Sequence, residues 1–277
     1  FGYPEQATCT AELYGDQAIQ RAVIKIGAAE VGQGLTTVMA QIAAETLDIP
    51  YKAVRFHEVD TSSVPNAGST SASRQTFMSG NAVKGACERA LQAWNLGDRP
   101  AIASYQYLPP RTTPYDPETG ECTPNFSYGY GSQIAEVEVD AETGELTVTR
   151  VLAAHDPGKV INPQALEGQV EGGIVMAQGW TLIEDFIQQD GFIKTHTFSE
   201  LLIPTSVDAP KKIEYRSVEV ADPLGPYGAR GIGEMTMMLL APAILDAIHD
   251  AIGIWFNRIP VKAEDVLLAL KKRGLTT

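Results

Sequence analysis

Across residues 20–47 the hydrophobic period changes on either side of a glycine-rich tract, and that change restricts the fold more than any other feature of the chain. Ala22, Ile24 and Ile26 alternate with Arg21, Val23 and Lys25, which is close to the period of a strand. Leu35, Val38, Met39, Ile42, Ala43 and Leu47 then recur at helical spacing and stop before Pro50, whose ring would clash with a continuing helix. Residues 27–34 between them must be loop, so strand, glycine loop and helix form one unit.

The same reasoning extends along the chain. Residues 53–59 predict a strand, residues 61–73 a loop dense in Ser, Thr, Gly and Asn, and residues 75–94 a helix weakened by Gly80 and Gly85. Six prolines between Gly97 and Gly131 argue against both helix and central strand, so this stretch reads as a long crossing loop that wraps over another part of an assembly. It is also the place where the domain of residues 1–277 could be subdivided. Residues 134–139 and 146–153 predict a hairpin turned at Gly144. Residues 163–178 form a helix whose Gly168, Gly172 and Gly173 imply a close neighbour, since each costs about 1 kcal/mol relative to Ala. Residues 235–252 read as a long apolar helix that Pro242 kinks or interrupts, and residues 263–272 as a short amphipathic one with acids first and lysines last. The expected fold class is α+β, with mixed sheets and packed helices.

Charge and cysteine usage narrow the function. A formal charge of -13 repels phosphodiester backbones, which makes nucleic acid a poor partner. Cys9, Cys87 and Cys122 contain no Cys-x-x-Cys pair, so no disulfide framework, zinc site or iron–sulfur site is encoded, and a reducing cytoplasm fits. No run reads as the roughly 18 apolar residues of a bilayer span, and no signal-like start is seen. The chain starts at Phe1 without Met, so a processed or excised piece is an expectation too. His57, His155, His196 and His249 lack metal-ligand spacing, and no Gly-x-Ser-x-Gly elbow supports a hydrolase.

Three constellations could carry chemistry. In Glu30-Val-Gly-Gln-Gly34, the glycines admit a ligand to the backbone, and free amides at the following helix start can meet an anion; a ligand-free turn explains the same residues. Gly68-Ser-Thr-Ser-Ala-Ser-Arg-Gln75 offers hydroxyl and amide donors, and Arg74 a planar fork for phosphate or another ligand oxygen; a solvated loop with Ser73 as helix cap is the alternative. Gly228-Ala-Arg-Gly-Ile-Gly-Glu234 delivers one carboxylate to the start of a helix, where the dipole keeps it ionised as a proton acceptor; acids in a first helical turn are also ordinary dipole partners.

In this order and at these separations, the three constellations resemble the xanthine dehydrogenase and aldehyde oxidoreductase family of molybdenum hydroxylases. Val64-Pro-Asn66, Val137-Glu-Val-Asp140, Asp156-Pro-Gly158, Ile161-Asn-Pro163, Glu167-Gly-Gln-Val-Glu-Gly-Gly173 and Ala241-Pro-Ala243 match as well, so the resemblance spans nearly the whole chain. It implies the carboxyl-terminal half of a molybdopterin-binding subunit, of the split-subunit kind. The metal would be held by a pterin dithiolene, in the cytosine dinucleotide form, with no protein ligand. Gly32, Gln33, Gly34 and Leu35 would contact the pterin, Ala72, Ser73, Arg74 and Gln75 the phosphate or dinucleotide tail, and Glu234 would be the catalytic base. A partner chain or segment would complete the site, FAD and iron–sulfur clusters would sit on partner chains, and the substrate would be a purine or other N-heterocycle. An aldehyde substrate and a non-catalytic subunit-binding fragment are the alternatives. Two departures stand out: Met176 replaces a glutamine common in relatives, and Met235-Thr236 replace a pair of prolines, which leaves the pocket shape open.

Overall fold

The computed structural model describes residues 5–274 and divides the chain into two units. The first takes in residues up to Gly129 together with Asp156–Ala165 and Glu219–Ile232; the second holds Tyr130–His155, Leu166–Val218 and the remainder from Gly233. The first passage between units therefore falls at Gly129, inside the proline-rich stretch, and the chain then returns twice.

In the first unit, strands β1 (Ala7–Gly15), β2 (Ile19–Lys25), β3 (Val54–Phe56) and β4 (Ala101–Tyr107) form one mixed sheet in the order β3-β2-β1-β4. β1 is antiparallel to β2 and β4, whereas β2 and β3 run parallel, which requires the helical crossover supplied by α1 (Leu35–Leu47). Helix α2 (Gln75–Asn95) lies against β1 and β4 beside α1. Ala7, Cys9, Ala11 and Leu13 of β1 and Ala22 and Ile24 of β2 close the core with Met39, Ile42 and Ala43 of α1 and Met78, Ala82, Val83, Ala86 and Ala90 of α2. The helical glycines of α2 are explained by packing. A Cβ on Gly80 would come within 2.6 Å of Pro226, and one on Gly85 would enter the Tyr105 ring. Burial pushes the Cys87 thiol up to about 12 and Cys9 upward as well, so neither is a thiolate nucleophile at neutral pH.

Two expectations fail here. The stretch 97–131 is not loop throughout: its first part is β4, an edge strand whose Ala101, Ala103, Tyr105 and Tyr107 turn inward while Ile102, Ser104 and Gln106 face out. Its prolines lie before and after the strand, so averaging over the whole stretch hid it. The strand expected over 53–59 shrinks to Val54–Phe56.

In the second unit, β5 (Tyr130–Val139), β6 (Leu146–Asp156) and β9 (Lys212–Ser217) form a sheet in the order β5-β6-β9, with β6 and β9 parallel. Between β6 and β9 lie helix α3 (Pro163–Gln178), the two-residue strands β7 (Gln188–Gln189) and β8 (Phe192–Ile193), and the one-turn helix α4 (Phe198–Leu201). The hairpin turn is built as expected: the Asp140 carboxylate accepts the amides of Glu142 at 2.8 Å and Thr143 at 3.1 Å, and Gly144 takes φ 79°. A side chain on Gly144 would run into the carbonyl of Ala263, the first residue of α7 (Ala263–Lys272). Of the three α3 glycines only Gly173 is crowded, against Thr236; nothing described approaches Gly168 or Gly172, contrary to expectation.

The expected helix over 235–252 is two helices, α5 (Met235–Met238) and α6 (Leu240–Ile252), divided at Leu239. Pro242 lacks the amide that would bond the carbonyl of Met238, and its ring crowds that carbonyl, so the break falls one turn before the proline. By length and mean hydropathy of 1.4 these 18 residues are apolar enough to cross a membrane, which revises the reading that no run is. They include Asp246 and Asp250, and Leu240, Ile244 and Ile248, at intervals of four, are fully buried as one packed helix face.

We expect Gly168→Ala to raise stability by about 0.5–1 kcal/mol in urea unfolding, since helix propensity improves with no clash. Gly173→Ala, one turn on, should lower it by about 1–3 kcal/mol.

Candidate functional site

In the first unit the two donor-rich loops lie side by side. The Thr70 hydroxyl accepts the Ala29 amide at 3.0 Å and donates to the Ala29 carbonyl at 3.1 Å, and the Gly27 amide donates to the Pro65 carbonyl at 2.9 Å. Glycine turn and Ser-rich loop are thus stitched into one surface. Within the turn, Gly32 (φ 103°) and Gly34 (φ 82°) both use left-handed backbone, and no atom lies within 4 Å of where a Gly32 side chain would stand. Gly34 caps α1, and Leu35 is its buried first residue.

Part of this helix start is not free for an external anion, as the sequence suggested it would be. The Glu30 carboxylate takes the Thr36 amide at 2.9 Å, together with the Gly32 amide at 2.9 Å and the Gly34 amide at 3.0 Å in the turn before the helix. Burial alone would raise its pKa, but these three amides, helped by the Thr36 side chain, outweigh burial and hold it below the usual carboxylate range. Gln33 folds back into the turn, accepting from the Val31 amide at 2.7 Å and donating to the Ala29 carbonyl at 3.1 Å.

The Ser-rich loop is strained and clamped. Ala72 (φ 53°) and Ser73 (φ 52°) both sit in the left-handed region, which is uncommon for residues other than glycine and clusters at functional sites. Arg74 does not project its fork outward. Its guanidinium is buried and donates to Glu5 at 2.7 Å, the Gln6 carbonyl at 2.9 Å, the Ala67 carbonyl at 2.8 Å and the Ser69 carbonyl at 3.0 Å. Gln75 likewise turns inward, donating to the Ser69 carbonyl at 2.9 Å and accepting from Ser79. Ser73 is not the helix cap: Arg74 holds that position, and α2 has no side-chain capping bond.

The third constellation meets the second. A side chain at Gly231 would overlap the carbonyl oxygen of Ser73, so only glycine allows the two backbones to touch. The segment is held there by an ion pair that the sequence did not disclose. Arg230 donates to Asp156 at 2.7 Å and to Asp222 at 2.9 Å, and all three side chains are about nine-tenths buried. Asp156 also accepts the Gly158 and Val220 amides, and Asp222 the Ser127 hydroxyl and the Leu224 amide. Burial pushes Asp222 upward, but Ser127, Leu224 and Arg230 together hold its carboxyl below the ordinary range. Desolvation works against the Arg230 charge, and the two aspartates more than restore it.

Glu234, second residue of the last segment of the second unit, is exposed at the N-cap of α5, whose single turn replaces the long dipole expected behind it. The residues after it are anchored: Gln133 donates to the Thr236 carbonyl at 2.7 Å, and Thr236 packs on Gly173. His155 is buried beside Gly131, and burial lowers its pKa against a smaller opposing contribution from the Met235 backbone. Gln133 and His155 lie just outside the strands expected from the sequence and inside the longer observed ones.

Residues 1–96 and 92–210 match the family model described as the molybdopterin cofactor-binding domain, and the chain belongs to that family. A probable xanthine dehydrogenase subunit of Bacillus subtilis (strain 168) is 32% identical over 90% of this chain and 37% of its own length. The aldehyde oxidoreductase of Megalodesulfovibrio gigas is 32% identical over 97% of this chain and 31% of its own length. The chain thus spans about a third of the curated relatives it matches. Among solved structures, the aldehyde oxidoreductase from Desulfovibrio gigas superposes with a TM-score of 0.87 at 31% identity, covering 96% of this chain and 30% of that one. Quinoline 2-oxidoreductase from Pseudomonas putida 86 gives 0.81 at 25% identity, over 96% and 38%.

Breaking the buried ion pair should be severe. Arg230→Met is expected to lower unfolding free energy by about 3–5 kcal/mol, because it leaves two buried carboxylates facing each other; chemical denaturation measures it. His155 gives a pH signature. Its folded pKa lies below the unfolded value of about 6.5, so its stabilisation is complete above that pH and is lost as pH falls through the folded pKa. His155→Gln should flatten the fall in thermal midpoint between about pH 7 and about pH 5.

Proposed function

We propose that this chain is the molybdopterin-binding part of a molybdenum hydroxylase that hydroxylates a purine or other N-heterocycle, with water as the oxygen source. The observation that carries the reading is the stitching of the glycine turn to the Ser-rich loop through Thr70, with Gly231 packed on Ser73. The donor set suits a large organic group rich in oxygen and nitrogen: the Ser69 and Ser71 hydroxyls, which share one hydrogen bond, lie in a loop that Thr70 ties to the glycine turn, α2 has no side-chain cap, and the space beside Gly32 is open. No cluster of three or more His, Cys, Asp or Glu that could hold a bare metal ion occurs among the described residues.

When bound, molybdenum cofactor supplies oxygen transfer from water and accepts the two electrons of the oxidation. The residues of this chain do the rest. Gly32, Gln33, Gly34 and Leu35 line the pterin side, and Ala72 and Ser73 with the α2 amides take the phosphate or cytosine dinucleotide tail. Arg74 and Gln75 support that loop from beneath rather than by direct contact, given where their side chains point. Glu234 accepts a proton on its carboxylate as general base. Partner chains or segments complete the pocket and carry FAD and iron–sulfur clusters, in a cytoplasmic hetero-oligomer. Aldehyde oxidation is the second reading, favoured by the aldehyde oxidoreductase relatives at equal identity.

Glu234→Gln in the molybdenum-replete protein should lower kcat by about 10²- to 10⁴-fold with cofactor retained. Turnover of a panel of purines, N-heterocycles and aldehydes in ¹⁸O-labelled water separates the two readings. Unchanged turnover by the variant would remove Glu234 from its role.

A further inference from the structure

The Glu30 carboxylate is spent inside its own loop, and what it does there has a consequence for the bound cofactor. A turn with glycines at positions 32 and 34 has little conformational preference of its own, and Gly34 brings no side chain to cap α1. Glu30 supplies what both lack. One oxygen receives the Gly32 and Gly34 amides and the other the Thr36 amide in the first turn of α1, so a single carboxylate closes the turn and caps the helix. These are charge-assisted bonds, roughly twice as strong as neutral ones. The closed turn brings the Gln33 side chain back over Ala29, which is the residue stitched to Thr70 of the neighbouring loop. The Gln33 amide nitrogen has two N–H groups, and the bond to the Ala29 carbonyl uses one.

We propose that Glu30 is a positioning residue for cofactor retention: its carboxylate locks the Gly32–Gly34 turn in the shape that presents Gln33. The inference rests on the molybdopterin reading above.

The test uses the full-length protein with its partner chains, carrying Glu30→Ala or Glu30→Gln. Molybdenum and pterin per protein are measured after gel filtration, with the rate of pterin loss on dilution and the thermal midpoint. Loss of a residue that orients a ligand's contacts typically weakens binding about 10- to 100-fold, so Glu30→Ala should shed pterin faster by that factor. Glu30→Gln keeps one acceptor oxygen and should fall between Ala and wild type. If Glu30→Ala does not accumulate, Glu30→Gln decides alone, with several-fold faster loss supporting the proposal. Wild-type rates of pterin loss in the variants, with or without a lower midpoint, would overturn it. Wild-type protein that holds no molybdenum pterin would instead overturn the reading beneath it.

Discussion

A guanidinium taken almost wholly out of water is stable only against carboxylates with good geometry, and Arg230 finds two. Asp222 reaches it from eight residues away and Asp156 from a distant segment, each accepting at least one backbone amide as well, while Ser127 arrives from a third segment. The glycine-rich segment around Arg230 packs through Ala229 and Ile232, both buried, and this charge cluster anchors it between them, where Gly231 meets Ser73. The charged groups compensate one another's desolvation, so none could be removed without exposing the others to its full cost.

The periodic parts of the fold were legible in the sequence. Helices α1, α3 and α7 begin and end where apolar spacing, proline and charge said they would, because those signals are local. Strand β1 was not read, although Ala7, Cys9, Ala11 and Leu13 alternate inward, since small residues give a faint hydrophobic rhythm. Strand β4 was hidden by prolines on both sides of it; the interruption expected from Pro242 does divide α5 from α6, but it falls one turn upstream of the proline.

The candidate site was legible in its loops but not in the direction of its side chains. Arg74 looked like an open fork, yet its partners Glu5 and Gln6 lie nearly seventy residues earlier, and no local pattern can reveal that they converge. Glu30 looked like a loop residue flanking an anion site and is itself the anion. Both loops satisfy most of their own polar groups internally, which is how irregular backbone with left-handed residues is kept in one shape before any ligand arrives.

Gly144 joins two requirements in one position: it turns the β5–β6 hairpin and gives the Ala263 carbonyl room at the foot of the final helix. Surface hairpin tips are normally where proteins accept tags, insertions and new termini. Here that freedom is missing, because lengthening the tip would unseat α7 and uncover Val266 and Leu270, so engineering of this unit has to look to other turns.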